Sequence, residues 1–355
     1  MQITHEPSVK PNHHPRRLWL MLGLFIIITV AGLAYVKWWP YYDKALIAIN
    51  DRSIGSSILT GVGSDVSGSI WETSLDYTIK YFKAIWKAAV LGMIIAAMIQ
   101  ALLPANWLQR LLGRKSMKST LIGGVSAMPG MMCTCCAAPI AAEMKQSKAS
   151  VGASLAFWLG NPLLNPATLI FMTFVLSWKF TVLRLVFGII VTFGVSYIAN
   201  RFADPDKAGK FLERQRQAAP PQPRSFGLRW LKSLSVMFLQ VAPVYVASVF
   251  ILAILQHFMF PVWMNEGIVA IIVFAIAGTL FVIPTAAEIP IIQSFQSLGA
   301  GAGPASALLI TLPAISLPSV LLVSKAFSLK VLFFVTGSVI VLGAVCGIIG
   351  SIWLT

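Results

Sequence analysis

Apolar residues are gathered in long blocks along this chain, and short polar stretches separate the blocks. The first block begins at Leu18 and leads into the aromatic cluster Trp38-Trp39-Pro40-Tyr41-Tyr42. About 20 apolar residues suffice for a helix to cross a bilayer, and Trp and Tyr favour its interface with water. The pattern therefore predicts a first transmembrane helix over 18–38, preceded by a polar cytoplasmic tail over 1–17.

Two further regions carry four apolar blocks each. A polar, net acidic stretch over 39–77 is predicted to be an outer loop, followed by membrane repeat A over 78–200. A linker over 201–227 is rich in Lys, Arg and Pro, which is typical of the cytoplasmic side. Membrane repeat B then covers 228–355. The fold predicted is an all-α integral membrane protein, multi-pass, in a bacterial inner membrane.

The two membrane regions match each other when the sequence is shifted by 151 residues. The matches include residues that do not replace one another freely in helices. They are Thr134 with Thr285, Pro139 with Pro290, Gly152 with Gly303, Pro162 with Pro313, Ser177 with Ser328 and Lys179 with Lys330. We interpret the two regions as an internal repeat.

Parity then predicts how the repeats are oriented. If the tail and the linker are both cytoplasmic, the first helix and repeat A together cross the membrane an even number of times. Repeat A alone crosses an odd number of times, so repeat B has the opposite orientation. This arrangement, an N-terminal span followed by two inverted-topology repeats, is common in secondary transporters. Because each repeat has four apolar blocks, one block in each must be broken or re-entrant.

Prolines indicate where the helices are broken. Proline removes a backbone donor, and hydrocarbon offers no water in its place, so unwound backbone must be buried in protein or line a cavity. The predicted helix-break residues are Pro129, Pro139, Pro162, Pro166, Pro284, Pro290, Pro313 and Pro318. We expect these breaks to meet at a central site near the midplane.

Composition narrows the class of protein. Charged residues make up only 11% of the chain and the mean hydropathy is +0.80, which excludes an ordinary soluble enzyme. The net charge of +15 comes from Lys and Arg that lie mostly between apolar blocks, so we expect contacts with membrane lipid and none with nucleic acid. No hydrolase, kinase or dinucleotide signature occurs, so we expect neither an enzyme nor a cofactor.

Three cysteines, Cys133, Cys135 and Cys136, stand beside one predicted break. Thiolates bind soft metals and metalloids, whereas a buried Cys can equally serve as a small packing residue. The second Cys pair that a structural zinc site needs is missing, so the metal is left open. A redox pair, Cys133–Cys135 or Cys135–Cys136, is a further alternative.

Glu288 lies between Pro284 and Pro290 within an apolar block. A carboxylate there is expensive and is a functional candidate by default. It can couple transport to protons, or it can cap an unwound helix end.

Several polar residues near the breaks complete the predicted site. Asn161 and Asn165 can satisfy freed backbone groups or contact substrate. The further candidates are Thr134, Thr285 and Gln293.

The segments 129–140, 157–169 and 281–291 resemble the YraQ-type predicted permease family, which is grouped with ArsP-type organoarsenical permeases. The resemblance extends from about residue 18 to the end of the chain. It implies a bacterial inner-membrane permease with roughly 8 to 10 spans.

The most direct implication of this resemblance concerns the cysteines. In arsenic-linked relatives, cysteine motifs take part in handling trivalent organoarsenicals, which implies a role for Cys133, Cys135 and Cys136. Many members of the family have Cys-Ser-Cys-Gly, whereas this chain has Thr134 in place of Ser and Cys136 in place of Gly.

The functional hypothesis is a permease that moves a small molecule or ion by alternating access, with proton coupling through Glu288 and a Cys-rich central site. The alternatives are a passive channel, an exporter of soft metals, metalloids or organoarsenicals, and a membrane thiol oxidoreductase. The oligomeric state is left open.

Overall fold

The computed structural model describes residues 15–53, 70–102, 105–203, 267–297 and 301–354, with individual residues of a helical stretch between 230 and 254. Every regular element within these ranges is helical. The helical segments long and apolar enough to cross a membrane are Leu22–Asp51, Ser74–Ile99, Val151–Val175, Trp178–Phe202, Ala302–Val323 and Leu329–Trp353. The prediction of an all-α integral membrane protein is confirmed.

The first part of the chain forms ten α-helices within the described ranges. They are α1 (Pro15–Leu33), α2 (Trp39–Asp51), α3 (Ile70–Leu102), α4 (Ala105–Leu112), α5 (Met117–Ala127), α6 (Thr134–Gln146), α7 (Val151–Leu163), α8 (Pro166–Val175), α9 (Trp178–Ile189) and α10 (Ser196–Ala199). Single π-helical turns join α1 to α2 (Ala34–Trp38) and α9 to α10 (Ile190–Val195).

The second part contains five fully bounded α-helices within the described ranges. They are α11 (Ile268–Gly278), α12 (Glu288–Ser297), α13 (Ala302–Ala314), α14 (Leu317–Val323) and α15 (Leu329–Trp353). Most of the linker predicted over 201–227 lies outside the described residues.

The first helix does not end where the aromatic cluster suggested. The structure continues helically through residues 39–51, which the sequence assigned to an outer loop. Pro40 is compatible with this because it directly follows a π-helical turn, where the regular i→i−4 hydrogen-bond pattern is already interrupted. Residues 54–69 of the predicted loop lie outside the described part of the chain.

Helix boundaries recur at the interval found in the sequence. Both ends of α11 lie 151 residues after those of α5, and both ends of α13 lie 151 residues after those of α7. The end of α12 and the start of α15 follow the end of α6 and the start of α9 by the same interval. The contacts also correspond, because α6 packs on α14 and α8 packs on α12.

Small residues allow these helices to pack closely. A Cβ added at Gly123 of α5 would collide with the carbonyl oxygen of Ala153 in α7. In the second part, a Cβ at Gly343 of α15 would collide with Thr311 of α13. Close approach of this kind is how membrane helices associate where no hydrophobic driving force acts between them.

Candidate functional site

Four interruptions of the helices define the candidate site. They lie between α5 and α6, between α7 and α8, between α11 and α12, and between α13 and α14. Met131 in the first interruption and Ala286 in the third adopt left-handed backbone conformations, with φ of 48° and 70°. These conformations are uncommon for residues other than glycine and mark sharp turns of the chain.

Six of the predicted helix-break prolines lie at or beside these interruptions. Pro129 lies in the 3₁₀ turn after α5, and Pro284 lies in the connection before α12. Pro166 is the first residue of α8 and Pro318 is the second residue of α14, both first-turn positions where no N–H is needed. The next-to-last residues of α7 and α13 are Pro162 and Pro313.

The other two prolines lie inside helices and do not break them, contrary to the prediction. Pro139 is the sixth residue of α6, which continues to Gln146. The loss of one backbone hydrogen bond is tolerated there because the helix is buried among its neighbours. Pro290 is the third residue of α12, where the N–H has no partner within the helix in any case.

A buried ion pair joins the two parts of the molecule. Arg184 of α9 donates through Nη2 to Oε1 of Glu288 in α12 at 2.8 Å, and the two side chains are 0% and 2% exposed. Arg184 also donates to the carbonyl oxygens of Pro162 (2.7 Å) and Leu163 (3.3 Å) at the end of α7. Each charge therefore lies at a helix end of opposite partial charge: the guanidinium at a C-terminus and the carboxylate at an N-terminus.

The ion pair leaves polar atoms unsatisfied. Among the described residues, Arg184 Nη1 and Glu288 Oε2 have no hydrogen-bond partner. The same holds for Nδ2 of Asn165 and Oγ1 of Thr168, which lie at the start of α8. All four side chains are essentially inaccessible to solvent. Buried polar groups are normally paired, so each of these unpaired atoms is a candidate contact for a polar ligand.

The two asparagines stabilise the helix breaks of the first half by hydrogen bonds to the backbone. Asn161 accepts through Oδ1 from the N–H of Met132 (3.3 Å) and donates to the carbonyl of Phe157 (2.9 Å). Asn165 is the N-cap of α8 and accepts from the N–H groups of Ala167 (3.0 Å) and Thr168 (3.3 Å). Both side chains satisfy freed backbone groups, one of the two roles expected from the sequence.

The three neighbouring cysteines do not face one point. Cys133 Sγ lies 3.0 Å from Cys136 Sγ, whereas Cys135 Sγ lies 3.3 Å from Oγ of Ser316, the residue that precedes α14. All three are buried and reduced. The sulfur–sulfur contact in the structure is Cys133–Cys136 and differs from the two pairs expected from the sequence, because one helical turn brings together residues three apart. No group of three His, Cys, Asp or Glu residues able to hold a metal occurs in the described ranges.

Lys37 enters this centre from outside the repeated helices. Although it stands beside the aromatic cluster in the sequence, its side chain is only 6% exposed. It donates to Tyr41 Oη and to Thr285 Oγ1, both at 3.2 Å, and it interacts electrostatically with Cys133 and Cys136. The neighbouring Trp38 donates to the carbonyl of Pro129 at 2.9 Å.

Two of the predicted site residues make hydrogen bonds between helices. The backbone carbonyl of Thr134 accepts from Trp158 Nε1 at 2.9 Å, which ties α6 to α7. Gln293 donates to the carbonyl of Val175 at 3.4 Å, which ties α12 to the end of α8.

Sequence reasoning missed Arg184 and Lys37. Arg184 stands in an apolar block of repeat A, and a single Arg within such a block is itself a sign of a buried partner. Lys37 could not be recognised in this way, since a basic residue at the end of a span is common at the interface.

These features define a class: a helical, multi-pass membrane transporter with a polar centre at interrupted helices. The sequence profile of the predicted permease family matches residues 18–142 and 119–352, and the chain belongs to this family. It is a multi-pass bacterial membrane protein.

Two curated relatives extend over most of the chain. UPF0718 protein YraQ of Escherichia coli (strain K12) is 43% identical over 337 residues, which cover 93% of this chain and 94% of the relative. UPF0718 protein MJ0584 of Methanocaldococcus jannaschii is 22% identical over 334 residues, covering 75% of this chain and 92% of the relative. No solved structure matches the chain significantly.

Proposed function

We propose that this protein moves a small solute across the membrane by alternating access, and that the Arg184–Glu288 ion pair is the polar centre of the transport cycle. The observation that carries the proposal is the position of this pair. Its two charges come from helices in different halves of the chain, and each lies beside a helix break. A contact of this kind must be remade whenever the two halves move relative to each other.

The recurring helix boundaries support two inverted repeats that rock about this contact. In one state the ion pair closes the centre, because each charge satisfies the other. In the other state Glu288 is protonated or Arg184 holds a solute, and the pair opens. Glu288 thereby couples proton binding to the release of Arg184.

The charges around the breaks favour an anionic solute. Arg184 and Lys37 are both buried and positive, whereas Glu288 supplies one negative charge. The N-termini of α6, α8, α12 and α14 follow the four breaks and add positive partial charge. A small anion that accepts hydrogen bonds from Arg184 Nη1 and Asn165 Nδ2 would satisfy the donors that are unpaired here.

Transport into proteoliposomes tests the proposal. The probes are hydrogen phosphate, sulfate, acetate, arsenite and glutathione, offered singly from about pH 5 to about pH 8. We expect one of the anionic probes to be taken up, faster when the same probe is loaded inside. Glu288→Gln should retain this exchange and lose its dependence on pH. Glu143→Gln is tested beside it, because Glu143 is also a buried carboxylate, bonds to Ser147, and has its pKa raised by burial to about 7; loss of the pH dependence in this variant alone would assign the coupling to Glu143.

The outcomes separate the alternatives. Flux without stimulation by internal probe indicates a passive channel. Uptake of arsenite alone, lost on mutation of the cysteines, indicates a metalloid exporter. An unchanged pH profile in Glu288→Gln removes the coupling role, and retention of uptake in Arg184→Gln removes the ion pair from the transport centre.

A further inference from the structure

Cys133 and Cys136 form a close pair at the start of a helix. Cys133 is the N-cap of α6 and Cys136 is its third residue, so the two are separated by Thr134 and Cys135. Their sulfur atoms are 3.0 Å apart and their residues are 5% and 2% exposed. A disulfide requires about 2.05 Å between sulfurs, so closing this pair needs an approach of only about 1 Å and no rearrangement of helices.

Positive charge lies close to both sulfur atoms. Both sulfurs lie in the first turn of the 13-residue helix α6, at the positive end of its dipole. The buried ammonium of Lys37 adds a full positive charge that interacts with both of them. Cysteines that react as nucleophiles are found in electropositive surroundings of this kind, and frequently as Cys-x-x-Cys pairs at helix N-termini.

We propose that Cys133 and Cys136 are a thiol–disulfide exchange site for a small-molecule disulfide that enters the transport centre. The Cys133 thiolate attacks one sulfur of the disulfide, and the other sulfur leaves as a thiolate and takes up a proton. The Cys136 thiolate then attacks Cys133 Sγ, and the second small thiol leaves and is protonated. The protein is oxidised from two thiols to one disulfide, and the small disulfide is reduced to two thiols.

The neighbouring cysteines provide the controls. Cys135 lies between the pair in sequence but faces Ser316 of the other half at 3.3 Å. Cys346 lies in α15 and is fully buried. If exchange depends on geometry rather than on the number of thiols, it involves Cys133 and Cys136 and neither of these.

The test uses the full-length protein in nanodiscs, equilibrated with hydroxyethyl disulfide or with mixtures of reduced and oxidised glutathione. The reaction is quenched with acid, the protein is denatured and alkylated with a maleimide, and intact mass and peptide mapping count and locate the free thiols. We expect oxidation to remove two of the four thiols. Cys135→Ser should lose the same pair, whereas Cys133→Ser and Cys136→Ser should retain their remaining thiols or trap a mixed disulfide on one of them.

Lys37 gives a second readout. Lys37→Met should slow the oxidation by about threefold, because thiolate fraction falls more than nucleophilicity rises, whereas Lys37→Arg keeps the charge and should react at the wild-type rate. The proposal is overturned if wild-type protein keeps four free thiols with both disulfides, or if Cys135→Ser prevents oxidation. No solute needs to be moved in this measurement, so its outcome is independent of the transport proposal.

Discussion

The segments that lead into α6 and into α12 are equivalent regions of the two halves, although α12 begins three residues later at the shift of 151, and they carry different chemistry. The shift of 151 residues places Thr134 opposite Thr285, Cys136 opposite Ala287 and Ala137 opposite Glu288. The helices end at corresponding residues, but the first half offers thiols and the second a carboxylate. Helix breaks recur at the same interval in both halves, whereas the side chains at those breaks differ.

The partners of these helix starts also differ between the halves. Arg184 binds Glu288 from α9, whereas the equivalent residue of the second half is Val335. Lys37 reaches Thr285 from the π-helical turn between α1 and α2, which lies before both halves. The two halves share helix boundaries but differ in these side chains. A residue of one half therefore cannot take over the contacts of its counterpart in the other half.

The largest effect on stability is expected when the buried cation Arg184 is removed. Arg184→Met should lower the free energy of unfolding by about 3–5 kcal/mol, since it leaves Glu288 buried without its partner. The double variant Arg184→Met/Glu288→Met should recover most of this loss, because no unpaired charge remains. Unfolding in mixed micelles, followed by tryptophan fluorescence, measures both. Equal stability of wild type and the single variant would mean that the pair does not hold the halves together.

A smaller effect is expected at the equivalent N-caps of α8 and α14. Asn165→Ala should cost about 1 kcal/mol, because Asn165 accepts two backbone N–H groups at the start of α8. Ser316→Ala should cost about half as much, since the backbone N–H of Ser316 still has Ser319 Oγ as its acceptor. The same unfolding assay ranks the two variants. A larger loss of stability in Ser316→Ala than in Asn165→Ala would contradict this prediction.

The smallest effect is expected at the Ser-x-Lys pair that the two halves share. Lys179 donates to the carbonyl of Trp353 at 3.0 Å on an exposed surface. Lys179→Ala should therefore change stability by no more than about 0.5 kcal/mol, and Lys330→Ala serves as its counterpart in the second half. A loss of several kcal/mol at either position would show that this exposed contact contributes as much as the buried ones.

The sequence predicted the breaks better than it predicted the contacts made across them. Pro129, Pro166, Pro284 and Pro318 mark real interruptions, because a missing N–H acts locally on the helix that contains it. Pro139 shows the limit of the same argument, since burial among other helices offsets one lost hydrogen bond. Helix class and repeat interval follow from local pattern and can be derived without coordinates.

Contacts between distant elements required the three-dimensional arrangement. The sequence identified Glu288 as costly to bury but not Arg184 as its partner, which lies 104 positions earlier in the chain. The cysteines were identified correctly as a cluster, yet only the helical turn decides that Cys133 meets Cys136 and that Cys135 points to Ser316. Pairings of this kind depend on backbone direction, which composition does not encode.

The part played by Lys37 and Trp38 has a consequence for how the gene could be shortened. Both residues belong to the leading helix, and they hold one break of each half through Thr285 and Pro129. A polypeptide that starts after that helix would keep both membrane regions. It would lose the buried positive charge of Lys37 and the two hydrogen bonds to Thr285 and Pro129. The leading helix therefore contributes side chains to the interior of the protein and does not only anchor it in the lipid.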